Sequence, residues 1–184
     1  MSVEFALVER LLDGWRFQLG DDQVAFRNHV YRLIHYTRLI YPAISEDEHH
    51  LLQVAATFHQ VSIWLDGSTD YLQPSAERAG AWLARHSELC RRGLEREQAI
   101  LNGIIYCQNR LRPLSGSGFD LAEAFRKANW MEMFAGHLRF SQDKAAIRAI
   151  KSAYPGAGYH YRFTRLVMQR LRVDPLAPLP MMRG

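Results

Sequence analysis

Cysteine is scarce: Cys90 and Cys107 are the only two in 184 residues, and no C-x-x-C spacing exists. A disulfide scaffold and a cysteine-built zinc module are therefore excluded, and a reduced, cytoplasmic setting is expected. The first residues, MSVEFALVERLL, lack the basic stretch, apolar run and cleavage site of a secretory signal. No apolar run approaches the roughly 18 residues that would read as a membrane span, so no membrane partner is expected. Charge of one sign is not concentrated anywhere: the formal net charge is +4, with basic residues scattered from Arg10 to Arg183. Without a basic block, nucleic acid is not an expected partner. Strand signals are nearly absent, and internal repeats and low-complexity stretches are absent as well.

What is present is an ordinary globular composition, 48% hydrophobic with four Trp, nine Phe and eight Tyr. That is enough for one domain with a sizeable core, and no composition shift divides residues 1–184. Helical periodicity predicts a first helix from Val3 to about Leu19, ended by Gly20, and a second from Asp21-Asp22 to Tyr41-Pro42. Ser45 with Glu48 is a capping-box pattern that starts a third helix, expected to run to about Trp64. A turn-rich stretch leads to a fourth helix launched at Pro74-Ser75, and a fifth covers roughly Leu94–Leu111. Asp120 with Glu123 reads as the cap of a sixth, Ser141 as the cap of a seventh, and Tyr159–Leu171 as a short eighth. The tail from about 173 to 184, DPLAPLPMMRG and the residue before it, is expected to be extended. The fold class predicted is an all-α bundle of about seven or eight helices.

Four residues stand out as chemistry carried into apolar helices: His29, the adjacent pair His59-Gln60 and Asn129. Facing helices of a bundle can assemble such side chains into a metal site. The stretches RNHVYR, AATFHQVSIW, TDYLQPS, FRKANW and PLAPLPMMR, in that order over nearly the whole chain, resemble a small bacterial subfamily of the HD superfamily of metal-dependent phosphohydrolases. The resemblance implies an HD-domain helical bundle whose ligands are an early His, a His-Asp pair and a later Asp. It places these at His29, His59-Gln60 and Asn129, so two expected carboxylates are amides. It also places the second-metal histidines of some members within Ile104–Asn109, where this chain has Cys107 and Gln108.

An amide oxygen is a neutral, weak donor that accepts no proton at neutral pH, so standard hydrolysis is not expected. The expectation is a degenerate metal site in a pseudoenzyme that needs no cofactor and binds a small anionic ligand or a protein partner. The alternative is a mononuclear hydrolase of a phosphoester or similar polar substrate, with one divalent transition metal on His29 and His59. A di-iron oxygenase fares worst without a bridging carboxylate. Arg32, His35, Arg126 and Lys127 are candidates for an anion-receiving pocket entrance, or else a solvated face.

Blander explanations remain beside these. His29, His59, Gln60 and Asn129 can satisfy one another as a buried polar cluster without metal. His49-His50, next to Glu46, Asp47 and Glu48, fit a solvated helix start. Asp70, Tyr71 and Ser75 are explained by turn chemistry and a helix cap, and Cys107 by a small buried side chain. A homo-oligomer is left open.

Overall fold

The capping box forms as its spacing demands. Ser45 Oγ accepts from the Glu48 amide at 3.3 Å, and the Glu48 carboxylate accepts from the Ser45 amide at 2.9 Å. Two amides that would otherwise lack partners are thereby satisfied, which fixes the start of the helix that delivers His59. The computed structural model describes residues 5–67, 70–116 and 118–173, and among them all regular structure is helical. The chain order is α1 (Ala6–Asp13), α2 (Arg16–Leu19), α3 (Gln23–Ile40), α4 (Glu46–Phe58), α5 (Ser62–Asp66), α6 (Leu72–Arg85), α7 (Leu94–Cys107), α8 (Asp120–Met133), α9 (Lys144–Ala153) and α10 (Tyr159–Val173). Two of these, α2 and α5, are single turns; the other eight form an all-α bundle. No helix among the described residues is long and apolar enough to cross a membrane.

The middle of the bundle is α3, which is buried on nearly every side, with Phe26, Val30, Leu33, Ile34 and Tyr36 in the core. Its widest contact is with α8, and it also touches α1, α4, α9 and α10. Along one stripe, at spacings of three and four, α3 carries polar groups instead: Asn28, His29 and Arg32, each buried. Asn129 and Glu132, three apart on α8, are likewise buried. Two polar stripes on the most tightly packed pair of helices must pair with each other or with something else, because an unpaired buried polar group costs about 1–3 kcal/mol.

Several expected boundaries move. The first helix is split at Gly14-Trp15 into α1 and α2. The helix through α4 stops at Phe58, and the chain tightens over His59, Gln60 and Val61 before α5. Backbone dihedrals stay helical there, but the bonds shorten to three-residue spacing: Val61 N to Phe58 O at 3.1 Å and Ile63 N to Gln60 O at 3.0 Å. His59 and Gln60 therefore sit on a tight turn between helices and not within one. Helix α6 begins two residues before Pro74, whose missing N–H is harmless in a first turn. Ser75 is no cap; its Oγ accepts from the Ser62 amide at 3.4 Å inside the core. Asp120 is the first residue of α8 rather than its cap. The cap of α9 is Asp143, whose carboxylate accepts from the Ala146 amide at 2.9 Å, while Ser141 lies at φ 67° in the approach. The expected extended tail lies outside the described residues, apart from Val173, which closes α10.

Candidate functional site

His29, from the middle of α3, and His59, from the tight turn after α4, meet with their Nε2 atoms 3.1 Å apart. Both are buried. Each ring is oriented from behind: His29 Nδ1 faces a Glu132 carboxylate oxygen at 3.2 Å, and His59 Nδ1 faces the Ala56 carbonyl at 2.7 Å. A carbonyl and an ionised carboxylate only accept, so both Nδ1 atoms carry the proton and both Nε2 atoms present a lone pair. The two lone pairs are turned toward each other. Burial pulls the pKa of His29 down to about 4, with Glu132 acting against that, and pulls His59 well below its ordinary value, with His29 adding to the effect. Neither is protonated near pH 7.

Gln60 and Asn129 complete a neutral network around this pair. Tyr159, the first residue of α10, donates its hydroxyl hydrogen to Gln60 Oε1, and Gln60 Nε2 donates to the Tyr71 hydroxyl at 3.4 Å. Asn129 Nδ2 donates to the Gln108 carbonyl at 3.2 Å and to Asn109 Oδ1 at 3.1 Å. Asn109 Nδ2 in turn reaches the Tyr71 hydroxyl at 3.0 Å. The Tyr159 ring lies flat on His29, centroids 3.8 Å apart and 9° from parallel. Burial raises the Tyr159 hydroxyl well above its ordinary pKa, so it stays a donor.

Glu132 is the one buried carboxylate of the site, and it faces away from the Nε2 pair. It takes the Nδ1 hydrogen of His29 and the Nε and Nη2 hydrogens of Arg32, while Arg32 Nη1 donates to the Tyr154 carbonyl at 2.7 Å. Burial alone would raise this carboxyl; the hydrogen bonds from His29 and Arg32 and the Arg32 charge outweigh it and hold the group at about 2. Among the described residues no group of three or more His, Cys, Asp or Glu is arranged to hold a metal ion. The donor set thus fits half of an HD-type centre, two oriented imidazoles. It does not fit the other half, the anionic oxygens that bridge two cations.

A cavity of about 270 Å³ opens beside the cluster. Its floor is His29, Gln60, Asn129 and Glu132, and α10 covers it with Tyr159, His160, Phe163, Thr164 and Met168; Met133 completes the wall. The four basic candidates do not line it. Arg32 is committed to Glu132, and His35 stacks on Tyr154 with its Nε2 3.2 Å from the Tyr154 hydroxyl. Arg126 is clamped by Glu123 and the Arg110 carbonyl. Lys127 lines a separate cleft shared with Asp120 and Glu123, and its Nζ is 3.5 Å from Glu123. The basic entrance expected from the sequence is therefore dispersed, because each of these side chains is engaged by a partner elsewhere. His49 and His50 are half-buried near the start of α4, about 14 Å of helix before His59. Cys107 is a half-buried free thiol at the end of α7.

Glu132, Tyr159 and Asn109 carry this network without standing out in the sequence, and Tyr71, expected there as turn chemistry, accepts from the Gln60 and Asn109 amides. Glu132 had a signal, a lone acid between Met131 and Met133. Tyr159 had none, since its place on His29 depends on how α10 returns to α3.

The depressed histidines set an acid limit on stability. A histidine held neutral in the fold but free to protonate when unfolded stabilises fully above its unfolded value and loses that contribution as pH falls toward the folded one. For His29 the window runs from 6.5 down to about 4, and for Glu132 from 4.5 down to about 2. Urea unfolding is expected to show a loss of about 2 kcal/mol from His29 alone between about pH 7 and about pH 5. A stability that is flat over that interval would contradict the burial of the pair.

No family model, curated protein or solved structure matches the chain.

Proposed function

We propose that this chain is an HD-like pseudoenzyme whose former metal cleft binds a small organic ligand without hydrolysing it. The observation that carries the reading is the employment of Gln60 and Asn129. Where the resemblance calls for metal-bound carboxylates, both amides are engaged by phenols, amides and backbone from α10 and from the segments just before α6 and just after α7. A neutral, internally bonded network replaces the charged oxygens that hydrolysis needs. What stays open is the cavity under α10, at the small end of ligand-site volumes and walled by Met133, Phe163 and Met168. An anionic ligand is disfavoured by the dispersal of the basic residues.

One observation favours a second reading, a single transition metal on His29 and His59. Two imidazole nitrogens bound to one zinc at about 2.05 Å and a tetrahedral angle stand about 3.3 Å apart, close to the 3.1 Å between the two Nε2 atoms. Both rings also have the rear hydrogen bonds that orient metal-binding histidines.

The readings separate in one experiment. Protein purified without chelator is analysed for metal and assayed against nucleotide and phosphoester panels with added manganese, nickel or iron. The pseudoenzyme reading expects substoichiometric metal and no turnover above the blank. Metal-stimulated turnover that disappears in His59→Ala would overturn it.

A further inference from the structure

The buried cluster holds more acceptors than it has hydrogens to fill. Asn129 spends both Nδ2 hydrogens on Gln108 and Asn109, so its Oδ1 is left, and no hydrogen bond to that oxygen occurs among the described residues. Gln108 spends its Nε2 hydrogens on the His59 and Ile105 carbonyls, at 3.1 and 3.0 Å, and its Oε1 is buried without a partner among the described residues. The Nε2 lone pairs of His29 and His59 oppose each other. Two of these acceptors, on His29 and Asn129, belong to residues that line the cavity, while Gln108 bonds to the His59 carbonyl and does not border it. Arg32, one turn along α3 from His29, cannot help, because its hydrogens go to Glu132 and Tyr154.

A group rich in donors and free of acceptors answers this deficit. An ammonium has three N–H donors and no lone pair, whereas a water brings only two donors together with two more acceptors. A metal ion would also take lone pairs, but it makes no use of an apolar wall. Here the deficit lies beside one: His29, Gln60 and Asn129 share the cavity with Met133, Phe163 and Met168. Methionine and aromatic side chains pack well on a flat hydrocarbon body. Glu132 also lines the cavity, but its carboxylate already accepts from His29 and Arg32, so the free acceptors there are on His29 and Asn129.

We propose that the cavity under α10 binds a primary amine as its ammonium ion, the head on the His29–Asn129 floor and an apolar body between Met133, Phe163 and Met168. This deepens the reading of the cleft as a ligand site and rests on it. Selectivity then comes from the floor and affinity from the wall, so the two can be varied separately.

The test is calorimetric titration of the full chain near neutral pH with 2-phenylethylamine, with 2-phenylethanol as the same body lacking the charge, and with zinc. Hydrogen bonds to a charged group make the amine bind at least about 10-fold tighter than the alcohol. Met168→Trp, at a half-exposed position where folding is not at stake, is expected to fill the cavity and abolish both. Equal affinity for amine and alcohol would overturn the ammonium assignment and leave the ligand site standing. Binding of neither would overturn both readings. Stoichiometric zinc uptake that blocks the amine would assign the lone pairs to a metal and also overturn the proposal.

Discussion

Replacing Gln60 and Asn129 together by aspartate is expected to make the melting temperature depend on added zinc or manganese. The two imidazoles already stand at a spacing one cation can bridge, with both rings held from behind. What they lack is anionic oxygen, and supplying two carboxylates should raise metal affinity by at least about 100-fold, since even outer-shell partners are worth 10- to 100-fold. The same change damages the metal-free protein. Asn129→Asp would turn carboxylate oxygens on the Gln108 carbonyl and Asn109 Oδ1, which now receive hydrogens. Gln60→Asp would leave a side chain too short to hold both Tyr71 and Tyr159. Each broken arrangement costs about 1–3 kcal/mol. The double variant should therefore melt below the parent without metal and recover when metal is added, as binding to the folded state alone requires. A melting temperature insensitive to metal would count against the proposed reading of the cleft as a former metal site.

The second large effect lies one layer behind. Arg32→Met would leave Glu132, 2% exposed, as a buried charge with no counter-ion. Removing one partner of a buried pair costs about 3–5 kcal/mol, a large part of the whole stability of a domain. Adding Glu132→Gln to Arg32→Met removes the stranded charge and should recover most of the loss, though the bond to His29 becomes an ordinary one. Urea unfolding of the single and double variants measures both steps. A single variant within about 1 kcal/mol of the parent would show that the carboxylate has another source of neutralisation.

The residues show why some of this could be read from the chain and some could not. Ser45 and Glu48 are neighbours in sequence and in space, so their capping box was legible, as were the buried faces of α3 and α8, whose periodicity is local. His29, His59, Gln60 and Asn129 were legible as polar residues in apolar surroundings; the two histidines meet, and His29, Gln60 and Asn129 line one cavity. The tight turn at His59–Val61 was not legible, because no glycine or proline marks it and its dihedrals remain helical. Ser141 and Asp143 are both good caps by type; only the left-handed backbone at Ser141 decides between them. Arg32 read as a cation for a ligand because its partner, Glu132, is 100 residues away.

That separation has a consequence for how the chain is made. α3 is finished by distant partners: Asn28 donates to the Pro155 carbonyl across 127 residues, Arg32 to Tyr154 across 122, and His29 is roofed by Tyr159. During synthesis, at roughly 5–20 residues per second, the central helix leaves the ribosome long before any of these exists. For several seconds its polar stripe has neither carboxylate nor roof, and the early helices cannot settle against each other in their final form. Closure has to wait for the last stretch of the described chain, which makes the nascent N-terminal part a natural client for chaperones and a poor candidate for expression as a fragment.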